Sequence, residues 1–441
     1  MSKIEIQVDE KLPILKTIPL SFQHLFAMFG ASVLIPIIVG VNPALQLLFN
    51  GIGTLLYIAI TRGKIPAFLG PSAAFIPVVS AVMLTEGYGA ALSGCIVVGI
   101  IFIIAGVAVD RFGMGWIDVL LPPAAMGTVV AVIGLSLAKF ASGLAGLIPG
   151  QVPPELQTKT IIVSMFTLAV AIISSVMFKG YLKVIPILSA VVCGYLFAIT
   201  QGLVDFTAVA AAPWFQIPTF VRPEFNLNAI LIIAPAALVV LAEHVGDLSV
   251  TEKIVGKSLI RKDKGLSRSY IGNGVGTILS SLFGGLPVTT YGENVGVMAL
   301  TKVYSVWVIG GAAIFSVVLS FMGKVTATIQ AMPLAVMGGV SILLFGMISA
   351  SGLRMLIDSN VDYSKTRNLI LSAIVLILGV GEGKVVIGPV ELEGMGLATM
   401  AAILLSLFFA LIDKLGISNA SDEEDEKEEV ESIEIIVKKV A

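Results

Sequence analysis

The chain is 441 residues long, 57% of them hydrophobic and only 13% charged, with a mean hydropathy of +1.00, whereas a soluble domain carries about 25% charged residues. So much apolar sequence cannot be hidden in a soluble core, and at about 20 residues per crossing it leaves room for roughly a dozen or more membrane spans. A formal net charge of −2, with basic residues scattered among short loops, excludes a nucleic-acid binder, and two cysteines with two histidines leave neither a disulfide framework nor a metal centre.

Residues 1–16 are mixed in charge and run directly into a full-length apolar stretch, so they read as a cytoplasmic N-terminal tail and no cleavable signal peptide is expected. Apolar runs bounded by charge or by Pro and Gly place spans near 17–39, 43–61, 65–83, 90–109, 117–138, 160–178 and 182–200. After a long connection at 201–228 a second set follows near 229–250, 270–284, 287–300, 303–322, 328–351, 368–381 and 394–413. The last residues, 414–441, include the acidic run 421–429 and read as a solvated cytoplasmic tail. The fold class expected is an all-α polytopic membrane protein of 14 segments.

Orientation follows from the basic residues. With the N-terminus inside, 22 of the 27 Lys and Arg fall in cytoplasmic loops and tails, leaving only Lys139, Lys159, Arg222, Lys324 and Lys384 outside. Both termini are expected to be cytoplasmic, and the 201–228 connection external. Each half, 17–200 and 229–413, has seven spans, so equivalent elements must run in opposite directions: an inverted repeat.

The repeat is clearest at the third segment of each half. Gly63 to Ala74 (G-K-I-P-A-F-L-G-P-S-A-A) aligns without gaps with Gly284 to Val295 (G-G-L-P-V-T-T-Y-G-E-N-V), pairing Pro66 with Pro287 and Ser72 with Glu293 at an offset of 221. Both segments open as extended chain, break at Gly70-Pro71 or Gly292, and only then become helical. Irregular backbone at membrane depth is tolerated where it lines a cavity, and such interrupted segments point to a midplane binding site. Two half-helix N-termini near Ser72 and Glu293 then aim free N–H groups at one point.

Few acidic residues lie at depth: Glu243 and Asp247 in the eighth span and Glu293 at the break of the tenth. A carboxylate there costs about 2.5–3.5 kcal/mol, which makes each a functional candidate. Glu243 and Asp247, four residues apart, share one helix face. His244 points elsewhere and is expected to pack on a neighbouring helix, His24 beside Gln23 to hydrogen-bond across helices, and Gly272-Asn273-Gly274-Val275-Gly276 to mark close helix packing, with Asn273 free to bond a neighbour.

Carboxylate acceptors facing backbone donors suit a small, flat, neutral molecule with alternating N–H and C=O groups, and uracil has two of each. Anions would meet the carboxylates unfavourably, and simple cations would leave the N–H groups unpaired. Phe75, Tyr291 and Phe345 are candidate flanks for the ring. A proton shared by Glu243 and Asp247 is the expected coupled ion.

The run Glu293-Asn294-Val295-Gly296-Val297-Met298-Ala299-Leu300-Thr301-Lys302 resembles the E/Q-N-x-G-x4-T-R/K signature of the nucleobase/ascorbate transporters, the nucleobase:cation symporter family. Pro19 to Gly30, Leu121 to Gly127, Ala242 to Gly246, Thr289 to Asn294 and Pro333 to Ser341 resemble its uracil permease branch, and the likeness extends over about residues 12–413. The resemblance implies two intertwined inverted repeats, with a core domain of segments 1–4 and 8–11 and a gate domain of 5–7 and 12–14. It also implies short strands in segments 3 and 10 that pair antiparallel near the midplane. Glu243 and Glu293 would accept hydrogen bonds from the uracil ring and the amides of Ala73 and Gly292 would reach its carbonyls. Ser72, Asn294, Thr301 and Ser341 would support the site, and transport would be proton symport. Two departures stand out: Asp247 occupies a position where some uracil permeases carry His, and Ala73 one where an aromatic can stand. Glu293, where xanthine and urate members carry Gln, favours uracil.

The reading is a uracil:proton symporter of the bacterial cytoplasmic (inner) membrane, working by movement of core against gate. The alternatives are a purine (xanthine or urate) permease of the same fold and, from another class, a channel; broken helices around a closed polar pocket suit alternating access better than a continuous pore. No nucleophile or metal set of an intramembrane enzyme is evident. The partners expected are uracil, a proton and the lipid bilayer, with no nucleic acid and no cofactor; a homodimer is one assembly open to it.

Overall fold

The computed structural model describes residues 5–179, 185–381, 383–387 and 390–417; the acidic run 421–429 lies outside them. The first half comprises α1 (Ile14–Val39), α2 (Pro43–Ile60), β1 (Leu69–Pro71), a single 3-10 turn (Ala73–Phe75), α3 (Ile76–Thr85) and α4 (Tyr88–Phe112). It continues through α5 (Gly115–Leu120), α6 (Pro123–Ser136), α7 (Ala138–Leu144), α8 (Pro154–Met177) and α9 (Pro186–Thr200). A short α10 (Thr207–Ala211) in the connection leads to α11 (Leu227–Ile233), α12 (Ala236–Val255), α13 (Gly265–Leu282), β2 (Val288–Thr290) and α14 (Gly292–Thr301). The chain ends with α15 (Val306–Ser320), α16 (Gly323–Gln330), α17 (Leu334–Asp358), α18 (Thr366–Val380), the hairpin β3 (Lys384–Ile387) and β4 (Val390–Glu393), and α19 (Gly394–Leu415).

The protein is mostly helical, and among the described residues eight helical stretches are long and apolar enough to cross a membrane. Several expected spans prove to be composite. The one near 117–138 is divided into α5 and α6 at Pro122-Pro123 and into α6 and α7 at Leu137, the one near 229–250 is interrupted at Ala234-Pro235, and the one near 328–351 is preceded by the separate α16, with Pro333 just before α17. Proline supplies no backbone donor and crowds the preceding turn, which favours the breaks at Pro122-Pro123, Pro235 and Pro333, although α1 runs unbroken through Pro19 and Pro36. The β3–β4 hairpin, with Lys384 opposite Glu393, is a strand pair outside segments 3 and 10, where the expected all-α fold placed none.

The helices sort into two packed groups. In one, α13 lies against α4 and α2, α15 against α2 and α1, and α11 against α4; in the other, α17 lies against α6 and α8, and α18 against α19 and α6. Helix α13 explains its own unusual composition. It buries Ser269, Asn273, Thr277, Ser280 and Ser281 together with glycines, so it faces protein rather than lipid. A Cβ on Gly274 would lie 2.5 Å from the Gly99 carbonyl oxygen, and one on Gly99 would lie 2.8 Å from that of Gly274. Backbones this close require glycine on both helices.

β1 and β2 pair antiparallel in the register Leu69 with Thr290, Gly70 with Thr289 and Pro71 with Val288. Prolines at 66, 71 and 287 keep these stretches out of helix, and a two-stranded ladder leaves outer edges that lipid could not satisfy. Threonines from the flanking helices satisfy them: Leu69 N–H donates to Thr54 Oγ1 (2.9 Å), and Thr277 Oγ1 both accepts from Val288 N–H (3.2 Å) and donates to the Val288 carbonyl (2.8 Å).

One face gathers the charged loops. Lys257 pairs with Asp9 (3.3 Å), Lys264 with Asp110 (2.7 Å), Lys64 with Asp263 (3.9 Å) and Lys302 with Glu5. The Asp9 carboxyl is held below the usual carboxylate range, first by a backbone hydrogen bond and then by Lys257. The described part of the N-terminal tail is seated here, since Ile6 N–H donates to the Lys302 carbonyl (3.0 Å) and Val306 N–H to that of Val8 (3.0 Å). The opposite face carries the 201–228 connection, where Gln216 N–H donates to the Phe321 carbonyl (2.9 Å), Val221 N–H to that of Phe283 (3.1 Å) and Glu224 N–H to that of Gly89 (2.8 Å).

Candidate substrate site between two half-helices

Where the strand pair ends, two helices begin. On one side Ser72 caps the 3-10 turn, its Oγ accepting from Ala74 N–H (3.3 Å), and its own N–H donates to the Pro287 carbonyl (3.3 Å). On the other, α14 starts at Gly292 with Glu293 in its first turn. Tyr291 N–H donates to the Phe68 carbonyl (3.1 Å) and Asn294 N–H to that of Tyr291 (3.1 Å), so the strand ladder itself holds the start of α14.

The acidic residues converge here from two helices. Glu243 and Asp247 come from α12 and Glu293 from α14, close enough that Glu243 feels the charge of Glu293 and Asp247 that of both. Asp247 Oδ1 lies 3.6 Å from the place a Cβ would occupy on Gly292. Glu243 Oε2 is buried without a hydrogen-bond partner among the described residues. Leaving such an acceptor unpaired costs about 1–3 kcal/mol.

The polar residues around the carboxylates are fixed by one another. His244 is buried; its Nδ1 meets Asn273 Nδ2 (3.1 Å) and Thr290 Oγ1 (2.7 Å), and its Nε2 meets Ser269 Oγ (2.7 Å). An amide nitrogen only donates, so Nδ1 accepts and the Nε2–H donates to Ser269. Ser269 continues to the Tyr57 hydroxyl (2.5 Å). His244 therefore ties β2, α12, α13 and α2 together and, as expected, faces protein. Asn294 Nδ2 donates to His24 Nδ1 (3.1 Å), the cross-helix bond expected of that histidine.

The other candidates have distinct surroundings. Ala73 is buried at the start of the 3-10 turn, and Phe75 and Phe345 are each 1% exposed. Tyr291 is used within the protein: its ring lies where a Gly70 side chain would stand, and its hydroxyl donates to the Pro71 carbonyl (3.1 Å). Thr301 lies at the far end of α14, donating to the Val297 carbonyl (2.9 Å), away from the half-helix N-terminus. Ser341 is fully buried on α17, its hydroxyl without a partner among the described residues. Sequence reasoning passed over Tyr57, Ser269, Thr290, Thr54 and Thr277; the only signal was a hydroxyl at a position otherwise apolar.

A family model described as a permease family matches residues 15–388. The chain belongs to this permease family. It is 57% identical over 417 residues to the uracil permease of Escherichia coli (strain K12), covering 94% of this chain and 96% of that one. It is 55% identical over 416 residues to that of Paenibacillus larvae, covering 94% and 99%, and 45% identical over 396 residues to that of Bacillus subtilis (strain 168), covering 88% and 91%. The permease is thus a multi-pass membrane transporter and not an enzyme. Its fold is shared with the transmembrane domain of a cyanobacterium bicarbonate transporter, BicA (TM-score 0.58, 16% identity, 91% of this chain and 99% of that one). It is shared also with SLC26A9 (TM-score 0.67, 11% identity, 91% and 66%).

Proposed function

We propose that this permease imports uracil together with a proton across the bacterial cytoplasmic membrane by alternating access, with both termini inside. The observation that carries the reading is the site itself: buried carboxylates of Glu243 and Glu293 beside the backbone donors of two half-helices. Uracil presents two N–H groups to the former and two carbonyls to the latter, at Ala73 and Gly292, with Phe75 and Phe345 beside the ring. The names of the relatives, uracil permeases at 45–57% identity, support the same substrate.

The packing supports an inverted repeat of 14 segments, 17–200 and 229–413. Exchanging each segment for the one seven places on turns the α4–α13 contact into α2–α15, α1–α15 into α4–α12, α8–α9 into α18–α19, and α8–α17 into α6–α18, and all of these contacts occur. Leu69 and Thr290 are partners in the ladder and stand 221 residues apart, the offset of the gapless sequence match, so the pseudo-twofold passes between them. The group containing α1–α4 and α11–α15 would then be the core that carries the site, moving against the gate of α6–α9 and α17–α19.

Purified protein in proteoliposomes is expected to accumulate labelled uracil when the outside is made acidic, and excess xanthine is expected to compete poorly. Equal competition by xanthine would assign the protein to purines instead. Orientation is tested separately. Lys262→Cys, on the exposed loop between α12 and α13, is expected to react with an impermeant maleimide in inside-out vesicles and not in intact cells. Labelling in intact cells would invert the topology.

A further inference from the structure

Asp247 has a second neighbourhood, on the side away from Glu243. A cavity of about 10 Å³ is lined there by Asp247, His244, Thr251 and Tyr57, with an apolar wall that includes Tyr291 and Val295. That is about the volume one water molecule needs, roughly 10–15 Å³. The lining residues place it between the strand pair and the face of charged loops, because Tyr57 and Thr251 lie toward the ends of α2 and α12 that lead to Arg62, Lys64 and Lys253.

The hydrogen-bonding groups around it are mostly committed. Thr251 Oγ1 donates to the Asp247 carbonyl (2.8 Å), Tyr57 is bonded to Ser269, and both ring nitrogens of His244 are taken. The Asp247 carboxylate has no hydrogen-bond partner among the described residues, while the hydroxyl oxygens of Thr251 and Tyr57 keep lone pairs free to accept. We infer that this cavity binds a single water molecule, held by Asp247 and by the Thr251 and Tyr57 oxygens, and that this water relays the Asp247 proton to the cytoplasm.

The step balances simply. The carboxylic O–H of Asp247 breaks as the water oxygen takes the proton, and one of the water's own protons passes to solvent entering from the cytoplasmic side, leaving a carboxylate and an unchanged water. The charged and titratable groups that face Asp247 are Glu243 on its own helix, Glu293 on α14 and Tyr57 on α2, with His244 and Tyr291 sharing the cavity wall. None of these offers a cation to hold the proton in place. The inference rests on the proposed coupling role of Asp247 and adds its route.

Val295→Ile adds one methylene to the apolar wall at a position that is not one of the proposed uracil ligands. In proteoliposomes it is expected to leave uracil counterflow within about twofold of wild type and to slow uptake driven by an inward proton gradient about tenfold. The D2O effect on that uptake, but not on counterflow, is expected to grow. An equal loss in both assays, or no loss in either, would overturn the relay. So would a high-resolution map of the wild-type protein showing the cavity dry, whatever the variant does. If Asp247→Asn proves uncoupled while Val295→Ile behaves as wild type, only the relay fails; if Asp247→Asn accumulates uracil normally, the coupling reading itself fails.

Discussion

Glu293→Ala is expected to weaken uracil binding by about 10- to 100-fold, measured as equilibrium binding of labelled uracil to purified protein. A hydrogen bond to a charged group is worth about 1.5–3 kcal/mol, and each 1.4 kcal/mol is tenfold in affinity. The loss should be one of binding and not of folding. The start of α14 is held by backbone bonds, from Tyr291 N–H to Phe68 and from Asn294 N–H to Tyr291, and Asn294 is fixed by His24. Removing the carboxylate also relieves repulsion on Glu243 and Asp247. Thermal stability is therefore expected to stay at or above that of wild type. Unaltered affinity would remove Glu293 from the site.

Asp247→Asn is expected to separate binding from coupling. Asparagine matches the shape of aspartate and cannot ionise, so the position is fixed neutral while Glu243 and Glu293 remain. Asp247 lies beside both carboxylates, and a proton resident on the α12 pair is the coupled ion we propose. The variant is expected to bind uracil and exchange it in counterflow, yet to show at least tenfold less accumulation when only a proton gradient is supplied. Full gradient-driven accumulation would move coupling to Glu243 alone or elsewhere, and complete loss of binding would make Asp247 a support of the site.

How legible these features were depended on the kind of signal each left. Apolar runs mark helices because lipid demands it, and the gapless match of Gly63–Ala74 with Gly284–Val295 located two extended, interrupted stretches because proline and glycine disfavour helix there, while their pairing as strands was implied by the family resemblance. Glu243, Asp247 and Glu293 stood out because a carboxylate at depth is costly. Hydroxyl partners left no such mark. Ser269, Thr290 and Tyr57 form a chain through His244 only because α2, α12, α13 and β2 meet, and a serine in an apolar run reads the same whether it bonds its own helix or a distant one. The composite helices at Pro122-Pro123 and Pro235 carried their proline signal but were absorbed into long apolar windows. The β3–β4 hairpin escaped for lack of length: four-residue strands between two spans look like a loop. Tyr291 was legible as an aromatic at the break, but its packing on Gly70 depends on the register of the ladder.

The central claim, that two carboxylates accept the two ring N–H groups of uracil, is tested most directly by measuring the binding of 1-methyluracil and 3-methyluracil to the purified wild-type protein beside uracil itself. Each methyl group removes one donor, puts apolar volume against a buried carboxylate and leaves both carbonyls in place. Each analogue is expected to bind at least tenfold more weakly than uracil, by the loss of about 1.5–3 kcal/mol for a charge-assisted bond. Binding of both N-methyl analogues as tight as that of uracil would contradict it.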